Sequence, residues 1–133
     1  MGIQAEEDLV VGVWSEYWKS KLDSPPEPWD SLSQIVLSTL LRERPGPAIL
    51  EAGCGTGRIS LRLARSGAQV TCLDATEEAL ELARAAFGEV PATFLKASIF
   101  EIPEMEPQDL IWSSGVLEHF HPEEQRTAMR EAF

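Results

Sequence analysis

The chain has 133 residues, of which 44% are hydrophobic and 25% are charged. This length fits one domain and the composition is ordinary for a globular protein, so a two-domain chain and wholesale disorder are both disfavoured. With 11 basic and 22 acidic residues the net charge is −11, which opposes approach to phosphate backbones and anionic membrane surfaces. We therefore expect no nucleic-acid partner and no membrane partner, although acidity that serves only solubility explains the charge equally well.

The first residues and the cysteines are typical of a cytoplasmic protein. No apolar run approaches the roughly 20 residues that span a membrane, and the acidic segment 4–8 lacks the basic and apolar regions of a signal peptide. Cys54 and Cys72 lie within apolar or glycine-rich segments, so they indicate packing rather than a disulfide framework. We expect a cytoplasmic location.

Two helices are predicted before the first strand. Residues 9–22 carry apolar side chains at helical spacing, and the proline-rich segment 23–28 that follows cannot continue a helix. Residues 29–44 return to the helix period. We expect a single domain over the whole chain, in which a helical cap, residues 1–44, precedes a βα core, residues 45–133.

Beyond the cap, short apolar runs alternate with amphipathic stretches. This alternation is typical of a parallel sheet with crossover helices. The predicted strands are residues 48–52, 69–73, 92–96 and 109–112. The predicted helices are residues 58–66, 76–87 and 122–133. The sequence therefore predicts an α/β fold with a parallel sheet of four strands.

A glycine-rich loop follows the first predicted strand. Gly53, Gly55 and Gly57 stand where a strand turns into a helix, and glycines there allow positive φ and close approach of a ligand. A glycine triplet alone is weak evidence, because turns and tight packing also select glycine. The dinucleotide fingerprint requires glycine or alanine three residues past its second glycine, where this chain has Arg58 or Ser60. A nicotinamide-dependent oxidoreductase is therefore the least favoured enzymatic interpretation.

Glycines at every second residue, with Glu51 just before them, resemble the first motif of the class I, Rossmann-like methyltransferases that use S-adenosylmethionine. The resemblance continues from residue 48 to about residue 133. It implies S-adenosylmethionine as the cofactor, methyl transfer to a small-molecule acceptor, and a three-layer fold around a parallel sheet. The family orders seven strands 3-2-1-4-5-7-6, so this chain would supply the first four, in the order 3-2-1-4.

The resemblance also implies roles for individual residues. Asp74 would accept hydrogen bonds from the two ribose hydroxyls, and its alternative role is to cap the helix that begins near Thr76. Glu51 would orient the amino group of the methionine part, and its alternative is a solvated strand end. Ser98 stands where the family usually has an aspartate for the adenine amino group, so that contact would be weaker. The cofactor-binding residues implied in this way are Glu51, Gly53, Cys54, Gly55, Gly57, Asp74, Ala75, Ser98, Ile99, Ser113 and Gly115.

The segment 109–119 resembles the family's fourth motif, which lines the methionine end of the cofactor and faces the acceptor. Glu118 and His119 are therefore the catalytic acid–base candidates, and the alternative is that they cap a turn or bond to backbone. His119 and His121 have no third ligand at a characteristic spacing, so we expect no metal.

The aromatic residues of the first predicted helix have two compatible interpretations. Trp14, Tyr17 and Trp18 lie at helical spacing, which is typical of packed core. The same face would also serve as a lid over the cofactor.

The outer edge of the fourth predicted strand, residues 109–112, would carry unpaired backbone groups. Three explanations stay open: a truncated chain, a split enzyme completed by another chain, and a homodimer that pairs this edge with its own copy. The functional alternatives are a methyltransferase or a fragment of one, and a cofactor-binding or assembly module without turnover of its own.

Overall fold

The computed structural model describes residues 3–21, 37, 39, 41, 42 and 44–132. In chain order its elements are α1 (Ile3–Lys21), β1 (Ala48–Ala52), α2 (Arg58–Arg65), β2 (Gln69–Asp74), α3 (Glu77–Phe87), β3 (Thr93–Lys96), β4 (Leu110–Trp112), a 3₁₀ helix (Leu117–His119) and α4 (Pro122–Ala132). The predicted proline-rich segment and most of the second predicted helix lie outside the described residues.

The four strands form one parallel sheet in the order β3-β2-β1-β4, as predicted. Ile49 of β1 lies opposite Val70 of β2 on one side and Leu110 of β4 on the other. From β1 to β2 to β3 the chain advances in one direction along the sheet, so right-handed crossovers place α2 and α3 on the same face. The connection to β4 runs back past β1, which leaves a crevice beside the carboxyl end of that strand.

The core lies between the sheet and this pair of helices. Ile49, Cys72, Leu73 and Leu80 are each 0% exposed. The strands are short and nearly continuous in apolar residues because the interior of a parallel sheet is covered on both faces. Phe87, at the end of α3, meets the Phe94 ring of β3 edge to face with ring centroids 5.2 Å apart.

Asp109, just before β4, is hydrogen-bonded to the start of β1. One carboxylate oxygen accepts a hydrogen bond from the backbone N–H of Ala48 at 2.8 Å, and the other lies 2.9 Å from the Arg44 guanidinium. The Asp109 N–H in turn donates to the Ala48 carbonyl at 2.7 Å. The predicted fourth strand included Asp109, whereas the residue stands just before β4 and sets its register.

The element boundaries differ from the prediction at a few other places. Helix α1 begins at Ile3 rather than at residue 9. Thr76, predicted as the first residue of this helix, stands just before α3, and its hydroxyl donates to Asp74 at 2.8 Å and makes no side-chain cap on α3. The 3₁₀ helix was not predicted.

In the part of the chain that the structure describes, we find no helix long and apolar enough to cross a membrane.

We expect Leu80→Ala to lower the free energy of unfolding by about 3 kcal/mol, because it empties a fully buried site between α3 and the sheet. Urea unfolding followed by circular dichroism measures the change. The matched control is Leu9→Ala on α1, where the side chain is 62% exposed and the expected change is under about 0.5 kcal/mol. Equal losses in the two variants would show that this core does not carry the stability.

Candidate functional site

A cavity of about 370 Å³ opens at the carboxyl ends of the strands, beneath α1. This is within the size range of small-molecule sites, and it occupies the crevice beside β1. Helix α1 contributes Val10, Val11, Trp14, Tyr17 and Trp18. The β1 and β2 ends contribute Glu51, Gly53, Cys54, Gly55, Thr56, Arg58, Ile59, Asp74, Ala75 and Thr76. The loops around β4 contribute Ile99, Phe100, Ser114, Gly115, Val116 and Phe120.

The loop after β1 is held against the end of β2 by backbone hydrogen bonds. The N–H groups of Gly53 and Cys54 donate to the same carbonyl, that of Leu73, at 2.7 and 2.9 Å. Three residues after Cys54, the Gly57 N–H donates to the Cys54 carbonyl at 2.9 Å. These bonds fix a tight turn with the backbone of the neighbouring strand.

Two of the loop glycines lie directly against side chains from other elements. Gly53 has φ of +78°, and a Cβ there would overlap Val116. Gly55 has φ of +53°, and a Cβ there would lie 2.7 Å from the Trp18 ring. Positive φ and close packing both require glycine at these positions. Trp18 of α1 therefore covers the glycine loop, which is the position expected of a lid residue.

Asp74 lies at the end of β2 and is 8% exposed. Its Oδ2 accepts a hydrogen bond from the Gly55 N–H at 3.0 Å. Its Oδ1 accepts from both the backbone N–H and the hydroxyl of Thr76, at 2.9 and 2.8 Å. The carboxylate thus joins the glycine loop to the start of α3, and it lines the cavity as well. Since each oxygen has two lone pairs, Oδ1 is fully used and Oδ2 keeps one acceptor position for a ligand.

Glu51 lies near the end of β1 and is 6% exposed. The Ser60 hydroxyl donates to its Oε2 at 2.6 Å. Burial raises the pKa of Glu51 to about 8, the hydrogen bond from Ser60 lowers it, and the charge of Asp74 raises it further. The structure therefore places a buried carboxyl group in the cavity wall, which excludes the alternative of a solvated strand end. A cationic ligand would favour its ionised form.

Cys54 lines the cavity, and its thiol points back into the loop. The Sγ–H donates to the Gly55 carbonyl at 3.4 Å. The neighbouring Cys72 thiol and burial together raise the pKa of Cys54. A protonated, buried thiol is a poor nucleophile and a poor metal ligand. Among the described residues we find no cluster of histidine, cysteine or carboxylate side chains that would hold a metal ion.

Three predicted cofactor-binding residues are not in the cavity wall. Gly57 has φ of +66° as the N-cap of α2 and packs against Phe87, so its requirement for glycine is structural. The Ser98 hydroxyl accepts from the Phe100 N–H at 2.9 Å and stabilises its own loop. Ser113 lines a second, smaller cavity of about 190 Å³, against α4. The adjacent Ser114 lines the main cavity in its place.

The acid–base candidates lie beside the cavity rather than in its wall. The His119 ring meets the Trp14 ring edge on, with centroids 5.1 Å apart. Both His119 and Glu118 are exposed members of the 3₁₀ helix. Gly115, which lines the cavity, has φ of +74° and lies close to the Glu118 carboxylate.

Sequence reasoning missed several residues that line the cavity. Thr56 and Arg58 stand inside or next to the glycine motif, so their position in the motif was an available signal. Val10 and Val11 share the α1 face of the predicted aromatic lid, and helical spacing would have found them. Phe120 lies beyond an unpredicted 3₁₀ helix and had no comparable signal.

Comparison with known proteins agrees with this geometry. Residues 49–133 match the family model described as "Methyltransferase domain". A ubiquinone biosynthesis O-methyltransferase from Photorhabdus laumondii is 30% identical over 123 residues, which cover 87% of this chain and 50% of that protein. One from Xanthomonas campestris is 34% identical over 83 residues, which cover 61% of this chain and 34% of that protein. The chain thus spans half or less of the length of these relatives.

Solved structures share the fold. Magnesium protoporphyrin IX methyltransferase from Synechocystis PCC 6803, with S-adenosylmethionine bound, aligns with a TM-score of 0.77 at 18% identity, covering 96% of this chain and 70% of that one. The N-methyltransferase NodS from Bradyrhizobium japonicum, with S-adenosylhomocysteine bound, aligns with a TM-score of 0.71 at 22% identity, covering 88% and 64%. With the match over residues 49–133, these findings show that the chain belongs to the class I S-adenosylmethionine-dependent methyltransferases.

Proposed function

We propose that this chain forms the cofactor-binding part of a methyltransferase that transfers the methyl group of S-adenosylmethionine to a small-molecule acceptor. The observation that carries the proposal is the pair of buried carboxyl groups, Glu51 and Asp74, in one cavity on either side of a glycine loop. A buried carboxyl group that faces a cavity is costly unless a ligand uses it. The cofactor offers a ribose diol and an ammonium group, so it matches both.

The other charged group in the cavity wall fits the same cofactor. Arg58 is the one basic residue among the described residues that line the cavity. A guanidinium suits the carboxylate of the methionine part, because it presents paired donors in a fixed geometry. Glu51, Arg58 and Asp74 thus match the ammonium group, the carboxylate and the ribose diol of the cofactor.

We propose that the adenine ring lies against Ile99 and Phe100, beside Ala75 at the end of β2. These side chains are apolar, so they would hold the ring by contact area rather than by charge. Ser98 supports this wall indirectly through its bond to the Phe100 N–H. Specificity for adenine would then rest on shape and on backbone groups.

When bound, the cofactor supplies an activated methyl group on a sulfonium, so the protein has to position an acceptor and exclude water. Val10, Val11, Trp14 and Phe120 give the cavity an apolar wall that suits an uncharged organic acceptor. His119 is retained as a candidate proton acceptor because its ring contacts Trp14, which lines the cavity. The names of the relatives, which refer to ubiquinone biosynthesis and to a porphyrin, support a small-molecule acceptor.

We propose a cytoplasmic location on the basis of Cys54 and Cys72, which are both buried and free.

We also propose that the chain forms a homodimer through β4. That strand pairs with β1 on one side and has no neighbouring strand on the other among the described residues. A two-fold axis would join two β4 strands into one sheet and satisfy both edges. The alternatives to this arrangement are completion by a different chain and a truncated chain whose further strands would cover the edge.

Asp74→Asn is expected to weaken S-adenosylmethionine binding about tenfold or more, because the ribose diol loses a charged acceptor. Isothermal titration calorimetry with S-adenosylmethionine and S-adenosylhomocysteine measures the change. Asp8→Asn, at an exposed position on α1, is the matched control and should bind like the wild type. A wild type that binds NAD but neither of these ligands would overturn the proposed function, and unchanged binding by Asp74→Asn would overturn the role of Asp74.

Glu51→Gln is expected to make the chain more stable at pH 8 than the wild type and about equally stable near pH 5. Folding raises the pKa of Glu51 from 4.5 to about 8, so the unfolded state binds fewer protons between these values. Wild-type stability should therefore fall as pH rises through this window, whereas the glutamine variant carries no such titration. Thermal unfolding from pH 5 to 9 should show the melting temperatures diverging by about 5 °C or more.

The same variant should lose affinity for S-adenosylmethionine, because its side chain is neutral. The control is Glu104→Gln, an exposed position, which should follow the wild type at every pH. Parallel melting curves for wild type and Glu51→Gln across the range would contradict the assignment of a protonated, buried Glu51.

The proposed dimer predicts a species of twice the chain mass in light scattering coupled to size-exclusion chromatography. The dimer fraction should rise with protein concentration, because association follows mass action. A strictly monomeric species over the whole concentration range would exclude self-pairing and leave a truncated chain or completion by another chain as the explanation of the β4 edge.

A further inference from the structure

Ser60 is a buried partner of the Glu51 carboxyl group. It lies in the first turn of α2 and is 0% exposed, and its hydroxyl reaches Glu51 Oε2 at 2.6 Å. That length is typical of a hydrogen bond to a carboxylate. Among the described residues we find no other donor to this carboxyl group. The bond therefore defines how Glu51 sits in the cavity wall, with Oε1 left to meet a ligand.

The groups around Glu51 disfavour its charge. Asp74 faces it from the end of β2, and the Cys54 thiol faces it from the glycine loop. Burial and the negative charge of Asp74 both raise the pKa of Glu51, and the hydrogen bond from Ser60 is what lowers it. Glu51 therefore holds a proton at neutral pH until a cation enters the cavity.

We propose that Ser60 is a positioning residue for the ammonium group of the cofactor, which the Ser60–Glu51 pair binds with release of one proton from the carboxyl group to solvent. The inference rests on the proposed function, because it takes S-adenosylmethionine as the ligand. The hydroxyl of Ser60 donates to Oε2, the carboxyl proton leaves, and Oε1 accepts from the ammonium group. Charge is balanced within the site, since the carboxylate pairs with the ammonium ion.

Two properties follow for ligand binding. Affinity for a ligand that carries the ammonium group should rise with pH toward about 8, where Glu51 is half ionised in the free protein. Affinity for 5′-methylthioadenosine, which lacks the amino-acid part, should not depend on this pair. Ser60 thus acts on one end of the cofactor and leaves the other end unaffected.

The test is calorimetric titration of wild type and Ser60→Ala with S-adenosylmethionine and with 5′-methylthioadenosine from pH 6 to 9. We expect Ser60→Ala to lower S-adenosylmethionine affinity about tenfold at pH 7, because a hydrogen bond to a charged group is lost. The midpoint of its pH profile should move to higher pH. Affinity for 5′-methylthioadenosine should stay within about twofold of wild type, as for a substitution outside its contacts.

The matched control is Ser66→Ala at the other end of α2, where the hydroxyl donates to the Arg62 carbonyl at 3.0 Å. It should reproduce the wild-type profile with both ligands. Ser60→Cys, which keeps a small side chain but only a weak donor, repeats the test should the alanine variant fold poorly. In the Glu51→Gln background, Ser60→Ala should no longer move the pH profile.

Equal loss of both ligands in Ser60→Ala and Ser60→Cys would show a merely structural role and overturn the inference. An unchanged affinity and pH profile for S-adenosylmethionine would overturn it as well. Both outcomes leave the proposed function standing, since the wild type still binds the cofactor. A wild type that binds neither adenosine ligand would instead overturn the proposed function.

Discussion

The fold and the site both depend on the hydrogen bonds between the loop after β1 and the end of β2. Gly53 and Cys54 donate their N–H groups to Leu73, and the Gly55 N–H reaches the Asp74 carboxylate one residue further on. Backbone groups in a buried turn must be satisfied, and here the neighbouring strand satisfies them. The loop N–H groups therefore have acceptors within the protein. Glu51 and Asp74 face one cavity because this junction sets the two strand ends side by side.

The positions of the strands could be predicted because parallel strands buried on both faces appear as short apolar runs, and their order was predicted from the family resemblance. β1 and β2 were located within one residue of their observed bounds. The glycine motif then fixed the end of the sheet at which the site lies. Local spacing and elementary packing were sufficient for this part of the structure.

The direction of individual loop side chains could not be predicted in the same way. Ser113 and Ser114 follow β4 one after the other, and only Ser114 reaches the main cavity. Ser98 turns toward its own loop because a hydroxyl can bond to a nearby backbone N–H as readily as to a ligand. The contact between His119 and Trp14 joins elements far apart in sequence, so no local pattern could indicate it.

The three loop glycines are enclosed by side chains from three different parts of the chain. Gly53 is covered by Val116, Gly55 by Trp18, and Gly57 by Phe87. A side chain at any of them would have to displace a neighbour that is distant in sequence, and it would carry the strain of positive φ as well. Compensation would therefore need a second, smaller residue in α1, in α3 or beyond β4. For evolution or engineering, a smaller covering residue would relieve the contact but not the strain of positive φ, so these three positions are the least open to substitution in the loop.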